Sequence, residues 1–218
     1  MNKFSLVAEN TNSTVVGEFT PAKTRATNYQ SEADLEKAFI ELLQTQAYDH
    51  LPITSSDDLT KNLRTQLEKL NNYKFSDSEW RQFFNEHIAN PNSTIETKTA
   101  TIQEDHIKNL YDEHGQFKRN IYLIDKKNIH NNSPQVINQY EVEGSHSNRY
   151  DVTILVNGLP LVHVELKRRG IALQEAFNQI NRYQRDSFWA DSGLYEYIQL
   201  FIISNGTYTK YYSNTTRS

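Results

Sequence analysis

Tyr150-Asp151-Val152-Thr153-Ile154-Leu155-Val156-Asn157-Gly158-Leu159-Pro160-Leu161-Val162-His163-Val164-Glu165-Leu166-Lys167 is the stretch on which the reading of this chain turns. Two apolar runs rich in β-branched residues flank Asn157-Gly158, a strong hairpin signal. On the second run Val162, Val164 and Leu166 alternate with His163, Glu165 and Lys167. One face of that strand is therefore apolar, and the other carries a carboxylate and an ammonium two residues apart. A lone Glu-x-Lys on a strand is most often a solvated ion pair. Here the strand is otherwise strongly apolar, Asp151 lies across the hairpin, and the helix that follows carries Gln179 and Tyr183 at i and i+4 on one face.

The hairpin makes a geometric demand. A plain two-residue turn pairs Val156 with Leu159 and sets Asp151 across from Val164, on the face opposite Glu165, because side chains alternate. For both carboxylates to share an ion, the register must change by one residue. The expected device is a three-residue loop, Asn157-Gly158-Leu159, with Val156 opposite Pro160; a bulge between 151 and 156 serves equally. Either sets Asp151 directly across from Glu165.

Outward from the hairpin, Leu173, Ala176, Phe177 and Ile180 predict a helix over 172–185, followed by a short buried strand at Leu200–Ile203 and a partner at Tyr208–Tyr212. Upstream, Ile121–Ile124 and Val136–Tyr140 read as strands. Before Gly115 the period is helical. Ser31 with Asp34 caps a helix bearing Leu35, Phe39, Leu42 and Leu43; Ser55 or Ser56 caps a second with Leu59, Leu63, Leu67 and Leu70. Ser76 and Glu79 form a capping box for a third with Trp80, Phe83, Phe84 and Ile88, a packing stripe that ends at Asn90-Pro91. Residues 101–111, with Ile102, His106, Ile107 and Leu110, read as a fourth. Residues 1–29 are a polar arm in which Val15, Val16 and Phe19 could form strand. The whole is α/β: helices first, then a mixed sheet with a helix crossing between strands.

The 218 residues suffice for one large domain or one domain with a helical annex, and 37% hydrophobic content supports a core. The absence of cysteine excludes disulfides, thiolate zinc sites and Cys nucleophiles. No run approaches 18 apolar residues, so no membrane role and a cytoplasmic location are expected. The net charge of -4 is unusual for an autonomous DNA-binding domain, so any nucleic-acid contact is local, with partners supplying most of the affinity. One local excess exists: Lys167, Arg168, Arg169, Arg182 and Arg185 face a single acid, Glu175, within residues 166–185. Such a run is suited to a phosphate backbone or is simply a solvated helix face. His146 and His163 have no second ligand at zinc spacing and are not read as a metal site.

The residue types fit phosphodiester hydrolysis. Hard carboxylate oxygens from Asp151 and Glu165 can hold Mg²⁺, the carbonyl between Glu165 and Lys167 can add a ligand, and Lys167 can orient the attacking water and offset phosphate charge. From spacing alone this stays one motif hypothesis among others.

Asp151 with Glu165-Leu166-Lys167 resembles the PD-(D/E)xK nuclease pattern, with Tyr150 in place of its proline. Gln179-Ile-Asn-Arg-Tyr183 is similar to the QxxxY element of one branch, and Glu36 to the acidic residue on the first helix of such nucleases. Longer stretches, Asn120-Ile-Tyr-Leu-Ile-Asp-Lys-Lys, Asn148 through Val162 and Glu175-Ala-Phe-Asn-Gln-Ile-Asn-Arg-Tyr, resemble the N-terminal region of the R (restriction and motor) subunit of type I restriction–modification enzymes, from about residue 30 onward. The resemblance implies a restriction-endonuclease-like mixed sheet flanked by helices, with a helical N-terminal insertion and the nuclease domain spanning 30–218. It also implies cleavage of double-stranded DNA with Mg²⁺ (Mn²⁺ able to substitute), and defence against foreign DNA. Catalytic roles fall on Asp151, Glu165, Lys167, Gln179, Tyr183 and Glu36, and metal binding on Asp151 and Glu165. Arg168, Arg169, Arg182 and Arg185 are the expected DNA contacts. In that family the domain is joined to an ATP-driven motor and works with methyltransferase and specificity subunits. None of the seven glycines precedes a lysine, so this chain holds no phosphate-binding loop of the motor type and reads as an N-terminal fragment. Two rival readings are a standalone nuclease such as a junction resolvase, and a nuclease-like docking module that no longer cuts; the intact Asp, Glu and Lys argue against the second.

Overall fold

The computed structural model describes residues 8–10, 13–15, 31–112, 114–143, 147–186 and 193–214. In the N-terminal arm, β1 (Ala8–Asn10) and β2 (Ser13–Val15) pair antiparallel; Val16 and Phe19 lie outside the described residues. Three capped helices follow as the sequence predicts. Ser31 and Asp34 close a capping box on α1 (Glu32–Thr45). Ser55, not Ser56, caps α2 (Ser56–Asn71). Ser76 and Glu79 box the start of α3 (Asp77–Phe83), whose last residues widen into a π-helical turn, Phe84–Ile88, before Asn90-Pro91. β3 (Asp49–His50) is a short strand between α1 and α2.

The expected fourth helix over 101–111 is two elements. Helix α4 (Ile95–Gln103) starts earlier, at a Thr94–Thr97 capping box, and β4 (Ile107–Tyr111) follows it. Apolar residues three and four apart in a short run fit either state. Pairing decided it, because β4 lies antiparallel to β5 (Phe117–Tyr122). Of the strand expected at Ile121–Ile124, only Ile121 and Tyr122 are strand, at the end of β5, and they belong to this separate two-stranded sheet. Ile121 and Leu123 are nonetheless fully buried.

The central sheet has six strands in the order β10-β9-β8-β7-β6-β3: β6 (Pro134–Glu143), β7 (Ser147–Val156), β8 (Leu159–Leu166), β9 (Leu200–Ser204) and β10 (Thr209–Ser213), with β3 at the edge. It is mixed. β8 runs parallel to β9, and helix α5 (Leu173–Asp186) lies between them in sequence; β3 runs parallel to β6, and the other pairs are antiparallel. Alternation along the strands splits the core. Ile40 and Leu43 of α1 pack with Val136, Val152, Val164 and Leu166. The larger cluster joins Ile137, Leu155, Phe201 and Ile203 to Ala176, Ile180 and Tyr183 of α5, and to Leu59, Leu63, Trp80 and Phe83 of α2 and α3. The Trp80 stripe is core, as expected. Burying each such aliphatic side chain stabilises by roughly 1.5–3 kcal/mol.

Alternation slips at one place. Tyr140 and Tyr150 pair with each other and share parity with Val136 and Val152, yet they join the larger cluster. Between Asn138 and Tyr140 sits Gln139 with φ 54°, a left-handed conformation that β-strands do not use. This kink re-aims the strand at the ladder step where Gln139 faces Asp151.

Candidate active site

The hairpin β7–β8 meets the register demand by a different route from the loop expected. Val156 pairs with Leu159, so Asn157-Gly158 is a two-residue turn, with φ 52° and 83°. These angles match the twist of the flanking strands, as in a type I′ turn. The register then shifts: Leu155 pairs with Pro160, but Ile154 pairs with Val162, Thr153 with His163 and Val152 with Val164. Leu161 is the extra residue, and its carbonyl accepts the N–H of Gln199 at 2.8 Å. The bulge therefore lies on β8, opposite the 151–156 segment. One step beyond Val152↔Val164, Asp151 stands across from Glu165.

The turn is held from outside. The Asn157 side chain donates to the Leu123 carbonyl (3.0 Å) and Asn132 Oδ1 (2.8 Å), and accepts from Ser133 N–H (2.8 Å). A Cβ on Gly158 would come within 2.6 Å of Leu63 Cα, so α2 is seated directly on the turn. Helix α2 thus fixes the far end of the hairpin whose near end carries the acids.

At the near end, Asp151 Oδ2 accepts the Leu166 N–H at 2.8 Å. Burial pushes the Asp151 carboxyl up to about 7, and the charge of Glu165 adds to this; the Leu166 N–H and Lys167 oppose it, and Glu36 raises it further. Glu165 is fully buried. Its Oε1 accepts from Lys167 Nζ at 3.1 Å, and its Oε2 lies 3.3 Å from His163 Nε2. Lys167 Nζ is also 3.3 Å from the Leu166 carbonyl and 4.0 Å from Glu32 Oε2, and the Lys167 backbone N–H is tied to Ser204 O at 2.8 Å. The ammonium therefore sits against two of the oxygens expected to receive a cation.

The donor set fits Mg²⁺. Asp151, Glu165 and the Leu166 carbonyl are hard oxygens, and two carboxylates held this close, one of them resisting ionisation, call for a compensating cation. Among the described residues, no group of three or more His, Cys, Asp or Glu is placed to hold a metal ion by side chains alone. Mg²⁺ suits such a site because it keeps several waters and takes one or two protein carboxylates.

Gln179 and Tyr183 are brought together, but inward. Gln179 Nε2 donates to Tyr183 Oη, which donates to the Arg149 carbonyl at 2.9 Å. Tyr183 is 2% exposed, its ring 4.7 Å from that of Tyr150 and 6.1 Å from His163. Burial, helped by Glu165, lifts its phenol to about 12, so it stays a donor at neutral pH. The pair braces β7 two residues before Asp151. Glu36 reaches the site edge from α1 and accepts from Asn138 Nδ2 (2.6 Å) and Gln139 Nε2. Arg168, Arg169 and Arg182 are exposed; the Arg168 backbone N–H bonds Glu32, and the Arg182 guanidinium lies 5.6 Å from the Tyr183 ring. The side chain of Arg185, and all of His146, lie outside the described residues. Sequence reasoning set His163 aside; its period-two spacing from Glu165 was the available signal. Gln139 had no signal at all.

Residues 29–218 match the family described as type I restriction enzyme R protein N terminus. The chain belongs to this family. It is 45% identical over 212 residues to the type I restriction enzyme EcoprrI endonuclease subunit of Escherichia coli, covering 97% of this chain and 67% of that protein. It is 41% identical over 193 residues to the SauCOLORF180P endonuclease subunit of Staphylococcus aureus (strain COL), covering 85% of this chain and 20% of that one. A putative MjaIXP endonuclease subunit of Methanocaldococcus jannaschii is 34% identical over 117 residues. The likeness to R-subunit N-terminal regions read from the sequence is thus confirmed, and the match begins where the polar arm ends. Among the described residues no helix is long and apolar enough to cross a membrane.

Proposed function

We propose that this chain is the endonuclease domain of a type I restriction enzyme R subunit, hydrolysing phosphodiester bonds of double-stranded DNA with Mg²⁺. One observation carries the reading: the Leu161 bulge sets Asp151 across from Glu165 with Lys167 Nζ 3.1 Å from the Glu165 carboxylate. Asp151, Glu165 and the Leu166 carbonyl would hold the ion. When bound, Mg²⁺ supplies charge stabilisation at the scissile phosphate and lowers the pKa of a water. Lys167 moves from Glu165 toward the phosphate or the attacking water, orienting one and offsetting charge on the other. His163 keeps Glu165 Oε2 occupied, so that Oε1 remains for the cation. Tyr183 and Gln179 hold β7 in register through Arg149. Exposed Arg168, Arg169 and Arg182 contact the phosphate backbone; with a net charge of -4 on the whole chain, the remaining affinity comes from methyltransferase and specificity subunits and an ATP-driven motor.

The test is nicking of supercoiled plasmid by this chain with Mn²⁺, beside Asp151→Ala, and cleavage by the complete enzyme carrying the same substitution. Loss of cleavage with ATP hydrolysis and translocation retained is the expected result. Cleavage at the wild-type rate by Asp151→Ala would remove that residue from the site. Failure of the wild-type chain to bind Mn²⁺ at millimolar concentration would make it a docking module instead.

A further inference from the structure

Two neighbouring amides on β6 reach the same carboxylate. Asn138 Nδ2 and Gln139 Nε2 both donate to Glu36, which settles the orientation of each amide: nitrogen toward the acid, oxygen away. Their oxygens fare differently. Asn138 Oδ1 lies 2.8 Å from His50 Nε2. Gln139 Oε1 is buried and has no hydrogen-bond partner in the protein. A buried acceptor left unanswered is rare in folded proteins and calls for a cation, a donor or a bound water.

Its place in the fold narrows the choice. Gln139 lies between the pairs Asn138↔Val152 and Tyr140↔Tyr150, so it faces Asp151 across the β6–β7 ladder. It holds φ 54°, where a non-glycine residue is strained, and such strain concentrates at functional sites. Its partner Glu36 is near enough for its charge to be felt at Asp151. The unanswered oxygen, the strained backbone and the Asp151 carboxylate thus occur at one ladder step.

We propose that Gln139 is a further cation-binding residue of this site, its amide oxygen engaging the divalent ion directly or through one of the ion's waters. An amide oxygen is a hard, neutral donor. It adds no negative charge to a pocket where Asp151 and Glu165 already repel, and Glu36 fixes its direction. The proposal rests on the metal site at Asp151 and Glu165 proposed above.

The test is Mn²⁺ binding to this chain by isothermal titration, with thermal unfolding of the same samples in chelator. Gln139→Leu removes the oxygen at similar volume; Gln139→Gly removes it and also relaxes the backbone. Both should bind Mn²⁺ at least about tenfold more weakly, while Gln139→Gly, which loses the Glu36 hydrogen bond but is relieved of the positive φ, should unfold in chelator near the wild-type temperature; a merely structural residue would lose stability there too. Asp151→Asn, which tests the metal site itself, should bind no Mn²⁺. If Asp151→Asn loses binding while both Gln139 variants keep wild-type affinity, the Gln139 role is wrong and the metal site stands. If affinity and unfolding temperature fall together in both Gln139 variants, the residue is structural. If the wild-type chain binds no Mn²⁺, both proposals fall.

Discussion

Asp151 Oδ2 accepts the backbone N–H of Leu166 at 2.8 Å, so the acid of one strand is tethered to the other strand at the residue after Glu165. That bond exists only because Leu161 bulges out of β8 and shifts the ladder by one. With the turn alone setting the register, Asp151 would face Val164 and point away from Glu165. The tether also leaves Asp151 Oδ1 as the oxygen through which Asp151 can meet an ion.

The pH response of metal binding follows from Asp151. Its folded carboxyl titrates at about 7, against an ordinary value of 3.8. Below about pH 7 a cation must displace a proton, so Mn²⁺ affinity should fall about tenfold per pH unit there and level off above it. Isothermal titration across pH 5–9 checks this; a flat profile would rule out Asp151 as the proton-linked ligand.

The same shift has a consequence for stability without metal. Between pH 3.8 and about 7 the folded chain keeps a proton that the unfolded chain has released, so this group makes the fold less stable as pH rises through that window. Asp151→Asn removes the effect. Urea unfolding in chelator should show no advantage for the variant near pH 4. At pH 8 it should be more stable by on the order of 2 kcal/mol, discounted for the partial exposure of the site.

Lys167 competes with the cation for Glu165 Oε1 and the Leu166 carbonyl. Lys167→Met should abolish cleavage in the complete enzyme while Mn²⁺ affinity of this chain stays equal or rises several-fold, on the order of 1 kcal/mol. Weaker Mn²⁺ binding by the variant would contradict that competition.

Tyr183→Phe deletes a hydroxyl that links Gln179 to the Arg149 carbonyl and keeps the ring packed on Tyr150. Stability should drop by about 1–2 kcal/mol, with cleavage slowed and Mn²⁺ affinity unchanged. A cleavage defect with no loss of stability would place the phenol at the scissile phosphate rather than on β7.

Gly158→Ala tests the seat of the hairpin on α2. The new Cβ meets Leu63 backbone atoms at 2.6 and 2.9 Å and must also hold φ 83°. Backbone atoms of a packed helix cannot step aside, so the loss should exceed 2 kcal/mol, above the roughly 1 kcal/mol of the positive φ alone. Chemical denaturation reads it directly.

The chain's own residues determined the elements whose signals are local. Ser31, Ser55 and Ser76 cap helices because a side-chain oxygen meets an N–H three residues on, and Asn157-Gly158 turns because asparagine and glycine tolerate positive φ. Asp151, Glu165 and Lys167 could be named as candidates from their likeness to the PD-(D/E)xK pattern, whereas alternation from the turn alone would set Asp151 on the face opposite Glu165. What was not local was decided elsewhere. Strand β4 took the place of a helix because β5 was there to pair with it, a contact that spacing within 101–111 does not encode. The bulge settled at Leu161 because its carbonyl found Gln199, nearly forty positions away in sequence. Gln139 carries no motif; its left-handed backbone and unanswered oxygen arise only where α1, through Glu36, meets β6 beside Asp151. Local sequence chose the chemical groups, and contacts between distant segments chose where they point, since a side chain's direction depends on a register that many weak packing contacts set together.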